Sequence, residues 1–197
     1  MIDKNTENST QELNLFPIKG KNIELSFSGD RISSDGGLLL LRELDSQLNL
    51  LLLASNCIRD ERDQRYIDQS IKELLTQRVF QIAAGYEDCN DCNDLREDMI
   101  FKMCTGRLPQ SEPDLASQPT MSRLENTVTR SDLFRLGKCL VDIFISSYSK
   151  APSVIILDCD DTDNDTYGQQ ELALFNNFYN EHCYMPIHIY EGLSGKL

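Results

Sequence analysis

The sequence has no uninterrupted apolar run of membrane-spanning length. The leucine-rich stretch from Leu38 to Leu53 is broken by Arg42, Glu43 and Asp45, whereas a spanning helix needs about 20 apolar residues. A secretory signal is lacking as well, because Met1 to Leu13 is polar and has no apolar core. No membrane partner is therefore expected. Seven scattered cysteines, an odd number and without a secretory signal, fit a reducing cytoplasm, which is the expected location. Basic residues are scarce: 19 Lys and Arg stand against 32 Asp and Glu, a net charge of -13. That balance argues against a general nucleic-acid binder, since phosphate contacts draw on Lys and Arg. The deficit is steepest from Ala151 onward, where eight acids face a single base, Lys196. Any DNA-binding surface must then be a local patch or lie in sequence outside this chain. Internal repeats and low-complexity blocks are absent, and 197 residues suffice for one large domain or two small ones.

What the chain does contain is V-I-I-L-D-C-D-D-T, from Val154 to Thr162. Four apolar residues, three of them β-branched, run directly into acids, the pattern of a buried strand whose end opens into a site. Alternate side chains of a strand share a face, so Asp158 and Asp160 point one way and Leu157 and Cys159 the other. Asp161 and Asp163 should fall on the opposite side or in the following turn. Neighbouring carboxylates repel each other, and a hard divalent cation such as Mg²⁺ relieves that repulsion. Because the acids begin on the strand itself, a metal or nucleophile site is expected ahead of a plain solvated turn.

Earlier in the chain, residues 1–20 are polar and read as a loose leader, and Ile23 to Phe27 alternates like a short strand. Ser33, Ser34 and Asp35 offer caps for a helix with a stripe at Leu38, Leu41, Leu44 and Leu48. A second helix is expected from about Tyr66 to Ala84 through Ile67, Ile71, Leu74, Leu75, Val79 and Ile82, with Gly85 ending it. Cys89 and Cys92 form a C-x-x-C without a second pair at zinc spacing, so a polar loop with two ordinary thiols is expected. Residues 95–104 read as helical, and residues 107–119 as a linker. Ser117 to Asn126 has a cap, a first-turn proline and small hydroxyl residues before Arg123. Such a helix can aim its N-terminus at a phosphate or a base edge, which makes Ser117, Gln118, Thr120, Ser122 and Arg123 candidate DNA contacts. It can equally be a capped connecting helix. Residues 131–148 read as an amphipathic helix with Leu133, Leu136, Leu140, Ile143 and Phe144 on one face. After the acidic strand, a turn around Gly168 leads to β-type segments over residues 172–179 and 183–190. Their short links favour antiparallel hairpins, and no helix in the chain follows to cover them.

Asp158, Asp160 and Thr162 match the D-x-D-x-T signature of haloacid-dehalogenase-type phosphatases. That resemblance implies Asp158 as nucleophile, Asp160 as general acid and Thr162 on the phosphate, with Mg²⁺ on the carboxylates. It also implies a parallel sheet with crossover helices, which the hairpin pattern does not offer.

A second resemblance covers more of the chain. S-S-D-G-G-L-L-L-L-R-E-L-D, R-V-F-Q-I-A-A-G-Y-E-D-C-N-D, A-S-Q-P-T-M-S-R-L-E-N and L-D-C-D-D-T-D-N-D-T-Y-G-Q-Q-E follow one another over residues 33–171. They resemble successive landmarks of DDE transposases of bacterial insertion sequences, most of all the group called IS thirteen-eighty. The resemblance implies an α+β fold: a helical N-terminal region followed by a ribonuclease-H-like core that begins with three antiparallel strands. The division would be a polar leader and short strand over 1–32, a helical region for DNA binding or dimerisation over 33–150, and the start of the catalytic core over 151–197. Asp160 would be the first acid of the catalytic triad and Asp158 a neighbour or alternative metal ligand. The chemistry would be two-metal, Mg²⁺-dependent DNA strand cleavage and transfer. The implied partners are DNA, at the terminal inverted repeats of the element, and a second copy in a homodimer. Tyr167 stands where the family more often has His. The family's second Asp and its Glu come later than Leu197, and Glu171 and Glu191 are poor substitutes for a Glu carried on a later helix. The chain is thus expected to be the N-terminal portion of a transposase, inactive alone. A DNA-binding or dimerising remnant without catalysis is the non-enzyme alternative.

Overall fold

A computed structural model describes residues 12–26, 35–166, 168 and 170–196. The chain divides into two compact units, residues 1–139 and 140–197.

The first unit opens with a hairpin. Strands β1 (Glu12–Ile18) and β2 (Lys21–Ser26) pair antiparallel, with Leu13 opposite Leu25 and Leu15 opposite Ile23. The reversal falls at Lys19 and Gly20, both with positive φ (47° and 77°), the backbone that tight hairpin turns require. The leader expected over residues 1–20 is therefore a strand from Glu12 onward. Leu15 and Ile18 are both buried, three residues apart, because the register shifts between them. Arg42 Nη1 donates to the Phe16 carbonyl at 2.9 Å and the Phe16 N–H donates to Glu43 Oε2 at 2.8 Å, which ties β1 to the first helix.

That helix, α1 (Leu38–Leu48), is followed by α2 (Leu50–Ser55) across Asn49, whose left-handed φ of 56° breaks the run. Asp45 serves both helices: its carbonyl accepts from the Asn49 N–H, and its Oδ1 accepts from Leu51 N–H at 2.8 Å. The expected stripe needs correction. Leu38 and Leu39 are buried, whereas Leu41, Leu44 and Leu48 are exposed. Ser33 and Ser34 lie outside the described residues; the N-cap position is Gly37, without a side-chain cap.

Helix α3 spans Ile71–Ala83. It starts later than the expected Tyr66, because Ser70 and Glu73 form a reciprocal capping box there. Gly85 follows its end at φ 88°. Its inner face is Leu74, Gln77, Phe80 and Gln81, while Val79 and Ile82 are exposed. The C-x-x-C stretch is a 3-10 turn (Cys89–Asp91) leading into α4 (Cys92–Leu95), and Cys92 is fully buried rather than in a polar loop. Helix α5 (Met99–Cys104) is capped by Asp98, whose Oδ1 accepts from the amides of Ile100 and Phe101.

Residues 107–119 have no helix before Gln118, yet they are firmly held. The buried Arg107 guanidinium donates to the carbonyls of Pro113, Asp114 and Asp68 and to Glu73 Oε1. Then come α6 (Gln118–Thr127) and α7 (Arg130–Ser146). One core gathers Leu15, Ile18, Ile23, Leu39, Phe80 and Phe101. A second, smaller one holds Leu74, Cys92, Ala116, Met121 and Leu124, which fixes α6 against α3 and α4. On α7 the expected apolar face is not buried: Leu133 and Leu140 are exposed, and the helix's one buried residue is Asp132.

The second unit is built from five strands among the described residues: β3 (Leu157–Asp161), β4 (Asn164–Asp165), β5 (Leu174–Asn176), β6 (Glu181–Tyr184) and β7 (Ile187–Glu191). They form a β3-β7 pair and a β4-β6-β5 sheet, all antiparallel. The expected β run over 183–190 is split at Pro186, which has no N–H for a ladder. Its carbonyl instead accepts from Thr162 N–H at 3.0 Å, linking the two pairings. Residues 154–157 were expected in a core, but all four are 48–64 % exposed. Described strands flank β3 on one edge only, and its apolar side chains have no covering layer among the described residues of this unit. The mixture of helices with small antiparallel sheets is compatible with an α+β class.

Candidate functional site

Two places concentrate chemistry, one in each unit. In the second unit, β3 lies opposite β7 with Asp158 across from Tyr190 and Asp160 across from His188. Directly opposed residues project to the same face. The face that carries both aspartates thus also carries His188 and Tyr190, whose rings are edge to face at 6.2 Å. All of β3 is exposed, so both carboxylates are open to solvent. The alternation of the second β run places His188 on one face with Tyr184 and Tyr190 but gives it no role.

The fold gathers a different set of acids more tightly. Among the described residues, ligand atoms of Asp163, Asp165 and Glu181 lie within 4.8 Å of one another. Asp163 sits in the link between β3 and β4, Asp165 is opposite Cys183 in the β4-β6 ladder, and Glu181 is two residues before Cys183 on the same face of β6. A hydrogen bond with Asp163, then burial and the charge of Asp165, push the Glu181 carboxyl upward. Burial first, and then the same acids, push the Cys183 thiol up to about 11. Asp163 Oδ1 is buried with no hydrogen-bond partner. Three converging carboxylates, one with an orphaned oxygen, make the hard oxygen donor set that suits Mg²⁺ or a similar divalent ion. Asp158 and Asp160 belong to no such trio among the described residues. The sequence pattern puts Asp163 on the opposite side of the strand or in the following turn and gives Glu181 no role; only the pairing of β4 with β6 brings them together.

In the first unit, Ser117 precedes α6 and its carbonyl accepts from the amides of Thr120 and Met121. The α6 N-terminus is partly engaged already: Gln118 N–H donates to Asn93 Oδ1 at 3.1 Å. The Ser122 carbonyl accepts from Asn126 Nδ2 at 2.7 Å. Met121 and Leu124 turn inward, which leaves Arg123 exposed. Of the five candidate DNA contacts, Thr120 and Arg123 line a cleft of about 960 Å³ that also receives Arg59, Arg62, Tyr66 and Arg135. Ser117, Gln118 and Ser122 are not part of its wall.

No helix among the described residues is long and apolar enough to cross a membrane. No curated protein and no solved structure matches the chain. A family model described as "Transposase DDE domain group 1" matches residues 15–197. With nearly the whole length covered, both sites included, the chain belongs to this family of DDE transposases.

Proposed function

We propose that the protein serves transposition of an insertion sequence of the IS thirteen-eighty group, by Mg²⁺-dependent DNA strand cleavage and transfer. The observation that carries this reading is the family match running through β3, where Asp158 and Asp160 share one open face. Asp160 is read as the first acid of the triad and Asp158 as its neighbour, both offering oxygen ligands. When bound, a divalent ion supplies charge stabilisation at the phosphoryl oxygens and an acidified water. The chain's own part is positional. The β3-β7 ladder sets the backbones of Asp158 and Asp160 about 7 Å apart along the strand, at roughly 3.3 Å per residue, with both side chains on one face. His188 stands directly opposite Asp160 on the same face.

The antiparallel β3-β7 pairing is what the opening of a ribonuclease-H-like core would use, and that fold is part of the proposal. So is the division into a helical region over 33–150, which contacts the terminal inverted repeats through α6 and pairs with a second copy, and a catalytic region from 151. Among the described residues no helix after β3 carries a glutamate. The reading therefore expects weak metal binding and little or no catalysis from this chain alone. The phosphatase alternative, with Asp158 as nucleophile, calls for parallel strands, and every described strand pair is antiparallel.

A specific observation favours a second placement of the ion, on Asp163, Asp165 and Glu181: they are the acids the fold gathers. Mn²⁺ binding followed by electron paramagnetic resonance separates the two. If Asp160→Asn removes the bound ion, the β3 placement stands. Loss in Asp163→Asn with retention in Asp160→Asn moves the ion to the second cluster. Absence of binding in the unaltered chain removes both placements.

A further inference from the structure

The cleft in the first unit is bounded by the 59–71 segment, α6 and the start of α7, and its chemistry is uneven. Four arginines line it, but three are already engaged. Arg62 is held by Asp60 at 2.7 Å, Arg59 approaches Glu61 at 3.4 Å, and Arg135 is paired with Asp132 and donates to the Cys57 carbonyl. Arg123 makes no hydrogen bond or ion pair among the described residues. Thr120 lies three residues before it on α6, so both project from the same side of the helix into the cleft. The remaining acid of the wall, Asp68, opposes the accumulation of further negative charge. One unpaired guanidinium, in a wall whose one acid without an ion pair among the described residues is Asp68, suits a single anionic group, not a long stretch of duplex backbone.

Beside this polar wall stand Ile67, Ile71, Leu74 and Leu124, and at the rim Tyr66, 80 % exposed. The Arg65 guanidinium lies 5.6 Å from the Tyr66 ring centroid, an attraction that steadies the ring. Arg65 is itself anchored by Asp63 at 2.6 Å. A flat ring presented to solvent at the rim of a cleft that also holds an anion-seeking side chain is an arrangement on which unpaired bases stack. The volume, about 960 Å³, is in the range that encloses a small organic ligand. That is room for a nucleotide and far too little for a double helix.

The geometry points to a pocket for one unpaired nucleotide of a DNA strand, its phosphate against Arg123 and its base against Tyr66. This rests on the DNA reading above and names the form of DNA that this cleft takes. Duplex DNA with a frayed or single-stranded end meets the requirement, and fully paired DNA does not.

Fluorescence anisotropy with the full chain tests it, using a fluorescein-labelled blunt duplex and the same duplex extended by a short single-stranded thymidine tail. The tail tightens binding by about fivefold or more, as stacking of one base predicts. In Tyr66→Ala the ratio of tailed to blunt affinity falls to about one, while Tyr66→Phe keeps the advantage through its ring. Arg123→Ala weakens binding of the tailed duplex and flattens its salt dependence. Tyr66 and Arg123 are both exposed, and melting curves of the variants verify that they fold. A tail that adds nothing, or an advantage that survives Tyr66→Ala, overturns the pocket while blunt-duplex binding still upholds the DNA reading. Failure to bind either duplex overturns both.

Discussion

Gln77 and Ala116 exchange a pair of hydrogen bonds inside the first unit. Gln77 Nε2 donates to the Ala116 carbonyl and the Ala116 N–H donates to Gln77 Oε1, each at 2.9 Å. Both residues are almost fully buried. The side-chain amide imitates a peptide group and fastens the irregular segment before α6 to α3. Gln77→Leu keeps the volume but strands a buried N–H and C=O. A buried polar group without a partner costs about 1–3 kcal/mol, so the midpoint of urea unfolding should fall by an amount of that order or more. An unchanged midpoint would show that the amide is not the fastener of α6.

Two buried carboxylates make the protein acid-sensitive. At the start of α7, hydrogen bonding from Thr129, first its hydroxyl and then its amide, holds Asp132 down to about 2. Arg59 N–H and Arg135 add to it. In the second unit, Ser194, foremost by its side chain, and the amides of Ile156 and Leu193 hold Glu191 down to about 2 against burial. A depressed carboxyl contributes stability above its unfolded value of about 4 and loses it as pH falls through the folded one. Urea midpoints should therefore drop between about pH 4 and pH 2. Asp132→Asn and Glu191→Gln should each remove part of that slope.

The opposite sign applies to Glu181. Its carboxyl is raised by Asp163, burial and Asp165, so the ionised form is disfavoured in the folded chain and stability grows as pH falls through its raised value. Glu181→Gln should raise the melting temperature at neutral pH in the absence of divalent ions. If the second ion placement holds, millimolar Mg²⁺ should raise the melting temperature of the unaltered chain and not that of Glu181→Gln. A lower melting temperature for Glu181→Gln without metal would mean that the acids do not repel one another.

Thiol reactivity should divide along burial. Burial pushes Cys104 up to about 12 and Cys92 up to about 11, and Cys183 is raised to a similar value. Since the thiolate is the reactive form, iodoacetamide at neutral pH should label the exposed Cys159 well before Cys92, Cys104 or Cys183. Peptide mass spectrometry at short times reads the order directly. Early labelling of Cys104 would mean that the α5 end opens readily.

Much of the helical unit was legible in the sequence, and its exceptions have physical causes. The stop of α3 at Gly85 follows from a glycine that accepts positive φ. Its start is set by the S-x-x-E spacing of Ser70 and Glu73, a polar signal that apolar periodicity does not score. Val79 and Ile82 were expected inside, but the inner positions went to Gln77, whose amide meets Ala116 through both its oxygen and its nitrogen, and to Gln81, whose Oε1 accepts from the Cys92 thiol while its Nε2 has no partner. Periodicity that scores only apolar residues cannot see a buried amide that finds partners. The alternation of Leu13 and Leu15 was present within the leader but masked by its polar surroundings. In the second unit, apolar residues 154–157 look like core by composition, and only neighbouring layers decide whether they are covered. For the sites, the shared face of Asp158 and Asp160 was readable from alternation alone. The approach of Glu181 to Asp163 and Asp165 was not, because it depends on which strands pair across the chain.

The central claim is that this transposase-family chain recognises the ends of its own element. The most direct measurement is binding to duplex DNA carrying the inverted repeats that flank its coding sequence, titrated over a range of salt. The account predicts binding tighter than to a scrambled duplex and weakening as salt rises. Equal or no binding to the two duplexes, together with phosphomonoester turnover that is lost in Asp158→Asn, would contradict it.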